Sequence, residues 1–397
     1  MANHGPIGWG KCMAFSGLVR AVCLLVAMFA GPGAIAQTAL VGTEHAYEVT
    51  NFHTESGTIL PQVRIVYGTY GTLNAAGDNV VLLPSHYMAT WHGYDWLIGK
   101  GRALDPARYF IVATEMFGNG RSSSPSNTPE PFHGPRFPVT TIRDNVEIVR
   151  QLLKYQYGVT HVRAIIGFSM GGQQAFQWAM SHPDYADRIV ATSSTAKTYG
   201  HGVVRLESQI AAIEADPVFA GGDYKVEPAK GIEAFNLVWT AWLYSQEWWR
   251  RELWRVGAPA DMTLDKVIAT YRTKFIPDAD ANNLILQMRA WQRHDISGNS
   301  RFNGQIEAAL RQIRTPILYM PSLTDLYFPI EDARYEARLI PGVVFKPIPS
   351  LWGHPAGAGA TVEDDKFINE AVFAFLAEKQ KKVVLPRIRM PGMSDRN

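Results

Sequence analysis

The sequence predicts an α/β fold: a mainly parallel sheet flanked by helices, with a helical lid insertion between two of its strands. Three observations carry this. Short, nearly continuous apolar runs (VVLL, YFIV, AII, PILYM) alternate with segments of helical periodicity, as expected of strands buried on both faces. One such run leads into Gly167-Phe168-Ser169-Met170-Gly171 and directly on into a helical pattern. From about Thr198 to Phe302 the rhythm gives way to roughly a hundred residues of helical, tryptophan-rich sequence, and it resumes at Pro316, so the insertion interrupts one sheet. The expected division is a leader over 1–36, the first part of the core over 37–197, the insertion over 198–305, the second part of the core over 306–380 and a tail over 381–397.

The first 36 residues read as a secretory signal. Lys11 and Arg20 are their only charges, Ala21 to Ala30 (AVCLLVAMFA) is an apolar core, and Ala34-Ile35-Ala36 forms a cleavage step before Gln37. The apolar run is 10 residues, against about 20 for a spanning helix, and no other stretch is long and apolar enough to cross a membrane. Cleavage near Ala36 predicts a periplasmic or secreted chain without cysteine, since Cys12 and Cys23 both lie in the leader. The whole chain has 38 basic and 36 acidic residues in 397, with no basic excess of the kind that binds nucleic acid.

Strands are expected over Val63–Tyr70, Asn79–Pro84, Tyr109–Glu115, Val162–Phe168, Arg188–Ser193, Pro316–Pro321 and Val343–Ile348. Thr141 to Tyr157 spaces Ile142, Val146, Val149, Leu152 and Leu153 at helical intervals, and Gly158 stops it. In the insertion, Trp239, Trp242, Trp248, Trp249 and Trp254 fall within 16 residues, as an aromatic core or a substrate wall. The tail from Lys379 mixes charge and proline and reads as a surface strap.

The chemistry is expected at Ser169. A nucleophile on a sharp strand-to-helix turn needs Gly167 and Gly171 beside it to avoid collision, and it sits at the positive end of the helix, where an oxyanion is favoured. A serine hydroxyl needs a base, and on this architecture the partners follow in the order acid, then histidine. His354, in the loop after the last strand candidate, is the expected base, with His294 inside the insertion as the disfavoured alternative. Asp325, four residues past the PILYMP run, is the expected acid. Glu331 and Asp332 compete, but they read as ordinary first-turn residues of the next helix. The oxyanion donors are expected from the N–H of Met170 and from the loop Ser85 to Gly93, at Tyr87 or Met88, with His86 and His92 as candidate pocket residues.

These residues resemble the homoserine O-acetyltransferase branch of the α/β-hydrolase superfamily over nearly the whole chain after the leader. The resemblance is carried by GFSMGGQQAFQWA, by Phe137 to Val146 (FPVTTIRDNV), by Asp280 to Asn283 leading to His294-Asp295, by Thr324 to Pro329 and by Gly353-His354. It implies an α/β-hydrolase fold, a triad of Ser169, Asp325 and His354, and a helical lid. The chain departs from those transferases in three places. Met116 to Ser124 replaces a Gly-Gly-Cys stretch, Pro355 stands where an aspartate follows the histidine, and Thr195 to Gln209 lacks a Gln-Arg pair for gripping the homoserine carboxylate, for which Arg205 is the substitute on offer.

Three functions compete on these grounds: a serine esterase, an acyl-CoA-dependent homoserine acyltransferase, and a binding protein on the same fold. A complete triad disfavours the last. Acyl-CoA is confined to the cytoplasm, so an exported enzyme meets no such donor, and the esterase is expected. No cofactor or metal is expected. The expected partner is a small-molecule ester with a short acyl chain, with a homodimer admitted.

Overall fold

The computed structural model describes residues 41–274 and 279–378. The expected leader and the tail over 381–397 lie outside them. Eight strands form one sheet in the order β1-β2-β4-β3-β5-β6-β7-β8: β1 Thr43–His53, β2 Ile59–Tyr70, β3 Val80–Pro84, β4 Phe110–Thr114, β5 Ala164–Phe168, β6 Ile189–Thr192, β7 Ile317–Met320 and β8 Val344–Phe345. The β1–β2 and β2–β4 pairs are antiparallel and all others are parallel. Phe168 lies opposite Thr192, and Thr192 opposite Met320, so the central strands deliver their following loops to one edge. That carboxyl edge is where parallel sheets place their sites.

The strand expectations miss β1, and the reason is chemical. TEHAYEVTNFH buries only Phe52 and is otherwise exposed or half-buried, so it has no apolar run to betray it and is held by backbone pairing to β2. The last strand is shorter than the expected Val343–Ile348. Pro347 and Pro349 have no N–H to offer the ladder, although Lys346 and Ile348 still donate to Tyr319 and Pro321.

Alternation along the buried strands feeds two core layers. Leu82, Ile165 and Ala191 face α1 (Ile142–Tyr157) and α2 (Met170–Ser181), whose Val149, Leu152, Phe176 and Trp178 cover that side. Val81, Leu83, Ile166 and Val190 face the other way, toward Ile368, Val372 and Phe375 of α10 (Val362–Ala377). Helix α1 begins in a capping box between Thr141 and Asp144 and ends on Gly158 at φ 67°.

Between β6 and its neighbour β7 the described chain is helical: α3 Gly200–Glu214, α4 Ala229–Leu243, α5 Gln246–Arg250, α6 Leu264–Lys274 and α7 Ala281–Gln292, followed by α8 Ile306–Leu310. Their core contains Leu206, Phe235, Trp239, Trp248, Trp254 and Trp291, and it is continuous with Met170, Tyr87, Tyr327 and Phe328 from the sheet edge. The tryptophans are therefore both the core of the insertion and a wall over the elbow.

The root of this lid is fastened to the sheet by a buried carboxylate. Glu336, on α9 (Ile330–Ala337), accepts the Ala196 N–H with both oxygens, at 3.0 and 2.9 Å, and the Tyr199 hydroxyl at 3.1 Å. The Tyr319 hydroxyl lies 2.9 Å from both Glu336 and the Ser194 carbonyl, yet it has one proton to give. A protonated Glu336 resolves the shortage by donating to Tyr319, which then donates to Ser194. Burial accordingly pushes this carboxyl up to about 8, from 4.5. Between those values the folded protein holds a proton that the unfolded chain releases, so this group's stabilisation is complete below pH 4.5 and is lost as pH rises toward 8. Glu336→Gln keeps the donors and acceptors of the neutral acid. Its melting temperature relative to wild type is expected to climb steadily from pH 5 to pH 8 and then level off. A difference that stays constant over that window overturns this reading.

Candidate active site

Ser169 joins β5 to α2 at φ 56°, ψ −125°, a conformation that L-residues rarely adopt, and it is 2% exposed. The turn tolerates this only with glycine on both sides. A Cβ on Gly167 would stand 2.0 Å from the Gly171 carbonyl oxygen, and one on Gly171 would stand 2.3 Å from that of Pro84. The Ser169 N–H is tied to the Thr192 carbonyl on β6 at 3.0 Å, so the neighbouring strand fixes the turn's height.

The loops after β7 and β8 bring the other two predicted side chains to it. His354 Nε2 is 2.9 Å from Ser169 Oγ, and His354 Nδ1 is 2.8 Å from Asp325 Oδ2. The second carboxylate oxygen, Oδ1, accepts the N–H groups of Tyr327 at 2.7 Å and Phe328 at 3.1 Å. Thr324 stitches the two loops together, accepting from the Gly353 N–H and donating to the Ser350 carbonyl. Gly353 itself is at φ 63°, and a Cβ there would meet the Leu243 carbonyl at 2.7 Å, where the lid closes on the base. The rings of Phe168, Tyr327 and Phe328 surround the imidazole at 4.7, 4.8 and 5.6 Å. All three polar members are buried.

The competing residues are placed elsewhere. Glu331 and Asp332 occupy the first turn of α9, Glu331 paired with Arg334 at 2.6 Å. The His294 carbonyl accepts the Thr198 N–H, and burial pushes its imidazole down to about 3. His92 faces Asp95 at 2.8 Å on the outside of its loop. His86 turns inward, packs edge-on to Phe168 at 5.0 Å, and is pushed down to about 3 by burial and then by neighbouring His354.

Of the backbone donors considered, the N–H groups of Met170, at the start of α2, and of Tyr87 have no hydrogen-bond partner among the described residues. Met88, the alternative to Tyr87 for the second donor, is engaged elsewhere. Its N–H donates to Gln287 Oε1 on α7 at 2.6 Å. Above the triad lies Arg205, on α3 and 3% exposed. Its guanidinium is 4.1 Å from the Tyr327 ring centroid and 4.7 Å from that of Trp291. Nη1 donates to Gln209 at 3.1 Å, whereas Nε and Nη2 have no hydrogen-bond partner among the described residues. Burial pushes the group down to about 10, which leaves it charged at neutral pH.

Residues 79–223, which include the elbow, match the family described as the alpha/beta hydrolase fold. Across a longer span the chain is similar to an ethyl acetate hydrolase of Pseudomonas veronii, 33% identical over 303 residues that cover 76% of this chain and 86% of the relative. The chain belongs to the α/β-hydrolase superfamily. Among solved structures, this superfamily member is similar to an acetylester hydrolase from Corynebacterium glutamicum, with a TM-score of 0.81 and 30% identity over 85% of this chain and 96% of that one. It is also similar to the homoserine O-acetyltransferase of Chlorobium chlorochromatii, 27% identical over 353 residues that cover 85% and 97% of the two chains. Fold, relatives and the arrangement of Ser169, His354 and Asp325 together make this α/β hydrolase a serine-type enzyme acting on esters.

Among the described residues no cluster of His, Cys, Asp or Glu could hold a metal ion, and no helix is long and apolar enough to cross a membrane. Sequence reasoning missed Gln287. The one signal available was an amide inside the apolar stretch Leu284 to Met288 (LILQM).

Proposed function

We propose that the protein hydrolyses short-chain carboxylic esters through an acyl-enzyme on Ser169, with water as the acyl acceptor. The observation that carries this is the continuous relay from Asp325 through His354 to the Ser169 hydroxyl. In the first half-reaction His354 takes the Ser169 proton as Oγ attacks the ester carbonyl, the N–H groups of Met170 and Tyr87 stabilise the oxyanion, and the alcohol leaves with the proton from His354. In the second half-reaction His354 takes a proton from water as the water oxygen attacks the acyl carbonyl, and it returns that proton to Ser169 Oγ as the Oγ–acyl bond breaks and the acid leaves. Asp325 holds the imidazole in the tautomer that both steps need.

Water is favoured over an amino-acid acceptor by Pro355, which gives an ammonium no carboxylate next to the base, and by the replacement of the transferase stretch at Met116 to Ser124. The leader supports the same choice: export near Ala36 to the periplasm or medium separates the enzyme from acyl-CoA. A second reading, acyl transfer to a carboxylate-bearing alcohol such as homoserine, is favoured by the unpartnered nitrogens of Arg205.

The two are separated by turnover of acetyl and butyryl esters of a chromogenic phenol, with and without millimolar homoserine, and separately by acetyl-CoA with homoserine. Hydrolysis predicts ester turnover that homoserine changes less than about twofold, with little CoA release, because a missing charge partner costs a large factor in specificity. Homoserine-dependent CoA release faster than ester hydrolysis establishes the second reading.

A further inference from the structure

The loop that supplies Tyr87 has a feature its own sequence does not explain. His86 to Ala89 form a tight turn closed by the Ala89 N–H on the His86 carbonyl at 3.0 Å, with Met88 at φ 54°. A positive φ at the third position is the mark of a type II turn, which calls for glycine there. A methionine is sterically strained there, and the alternative type I turn is reached by flipping the single peptide between residues 87 and 88. Something must therefore hold that peptide.

Among the described residues the Met88 N–H bonds only to Gln287 Oε1, at 2.6 Å. Gln287 is 1% exposed, and its Nε2 donates to the Phe117 carbonyl at 2.9 Å, so its amide cannot rotate without losing both bonds. One turn earlier on the same helix, the Leu284 carbonyl accepts the Tyr87 hydroxyl at 3.1 Å. From below, Asn119 donates to the Ala89 carbonyl at 3.2 Å, and Glu115 accepts from both Asn119 and the Trp91 N–H. Helix α7 and the segment 115–119 thus grip the loop at four residues, Tyr87, Met88, Ala89 and Trp91.

We propose that Gln287 is a positioning residue for the reaction: from the lid helix it holds the 87–88 peptide in its strained orientation, which sets the adjoining Tyr87 N–H for the oxyanion. Reversing that peptide would turn the Tyr87 carbonyl dipole around beside a developing negative charge, and displacements of about an ångström in such groups cost on the order of a hundredfold. The lid then does more than cover the site, because one oxyanion donor is placed only when α7 is seated. This rests on the acyl-enzyme reading above.

The test compares Gln287→Leu, which removes the acceptor, with Gln287→Glu, which keeps an oxygen for the Met88 N–H but loses the donor to Phe117. Both are measured for kcat and KM on an acetyl ester, for inhibition by a boronic acid that forms a tetrahedral adduct on Ser169, and for thermal unfolding. Gln287→Leu is expected to lower kcat about a hundredfold with KM changed less than about threefold, and to weaken the boronate in proportion. Gln287→Glu should recover at least about tenfold of that loss although it melts lower than wild type. Unchanged kcat and boronate affinity in Gln287→Leu overturn the proposal, as does equal loss in the two variants. A rise in kcat also overturns it, since Gln287 would then be competing with the oxyanion for the Met88 N–H. A Ser169→Ala control that retains activity instead refutes the acyl-enzyme reading itself.

Discussion

Ser169→Ala and His354→Ala are each expected to lower kcat by about a million-fold, with the double variant no worse than either alone, because the two side chains act in one proton transfer. The geometry makes the dependence strict. Ser169 Oγ is 2.9 Å from Nε2 and has no other hydrogen-bond partner among the described residues, so without His354 the hydroxyl keeps its proton and is a poor nucleophile. Without Ser169 the base has only water to activate, on a carbonyl held at the wrong distance. What survives in either variant is the stabilisation offered by the free N–H groups of Met170 and Tyr87, which accounts for residual rates above the uncatalysed reaction. Single-turnover kinetics on a chromogenic acetyl ester, with active sites counted by a serine-directed phosphonate, reads the loss per folded molecule. The phosphonate should map to Ser169 by peptide mass and should fail to label Ser169→Ala. Labelling elsewhere, or a loss below about tenfold in either variant, removes Ser169 from the mechanism.

The elbow was legible because its constraints are local: at 2.0 and 2.3 Å from neighbouring backbone, Gly167 and Gly171 admit no side chain, and that requirement is written in five consecutive residues. The order of acid and base was legible because the sheet's winding delivers the ends of β7 and β8 to the edge where β5 ends. Strand β1 was not, since an edge strand held by backbone pairing needs no apolar pattern. Gln287 was not, since a side chain that bonds a backbone N–H 199 positions away leaves no periodic trace in either segment. Arg205 was visible only as a candidate grip, and its unpartnered nitrogens above Tyr327 required the folded lid to be seen. The same division holds for Glu336, whose place in an amphipathic helix gives no hint of the hydroxyls and amide that meet it.

Asp325→Asn is expected to lower kcat by about ten-thousand-fold while the protein melts close to wild type, whereas Glu331→Gln and Asp332→Asn should each change kcat less than about threefold. The size of the first effect follows from the direction of one hydrogen bond. Asp325 Oδ1 is committed to the N–H groups of Tyr327 and Phe328, so an asparagine must keep its carbonyl oxygen there or oppose two donors with its amide. Its NH2 group is then turned toward His354 Nδ1, which must accept. An imidazole that accepts at Nδ1 carries its proton on Nε2, aimed at the Ser169 hydroxyl, and cannot take the hydroxyl's proton. The triad keeps its shape in the wrong tautomer, which explains why stability is spared and turnover is not. Glu331 and Asp332 have no such link to the imidazole. Glu331 is occupied with Arg334, and Asp332 is raised mainly by its own partial burial in the first turn of α9. Steady-state kcat on the acetyl ester for the three variants, with their melting temperatures, decides the assignment. Full activity in Asp325→Asn together with loss in either α9 variant transfers the acid's role to that residue.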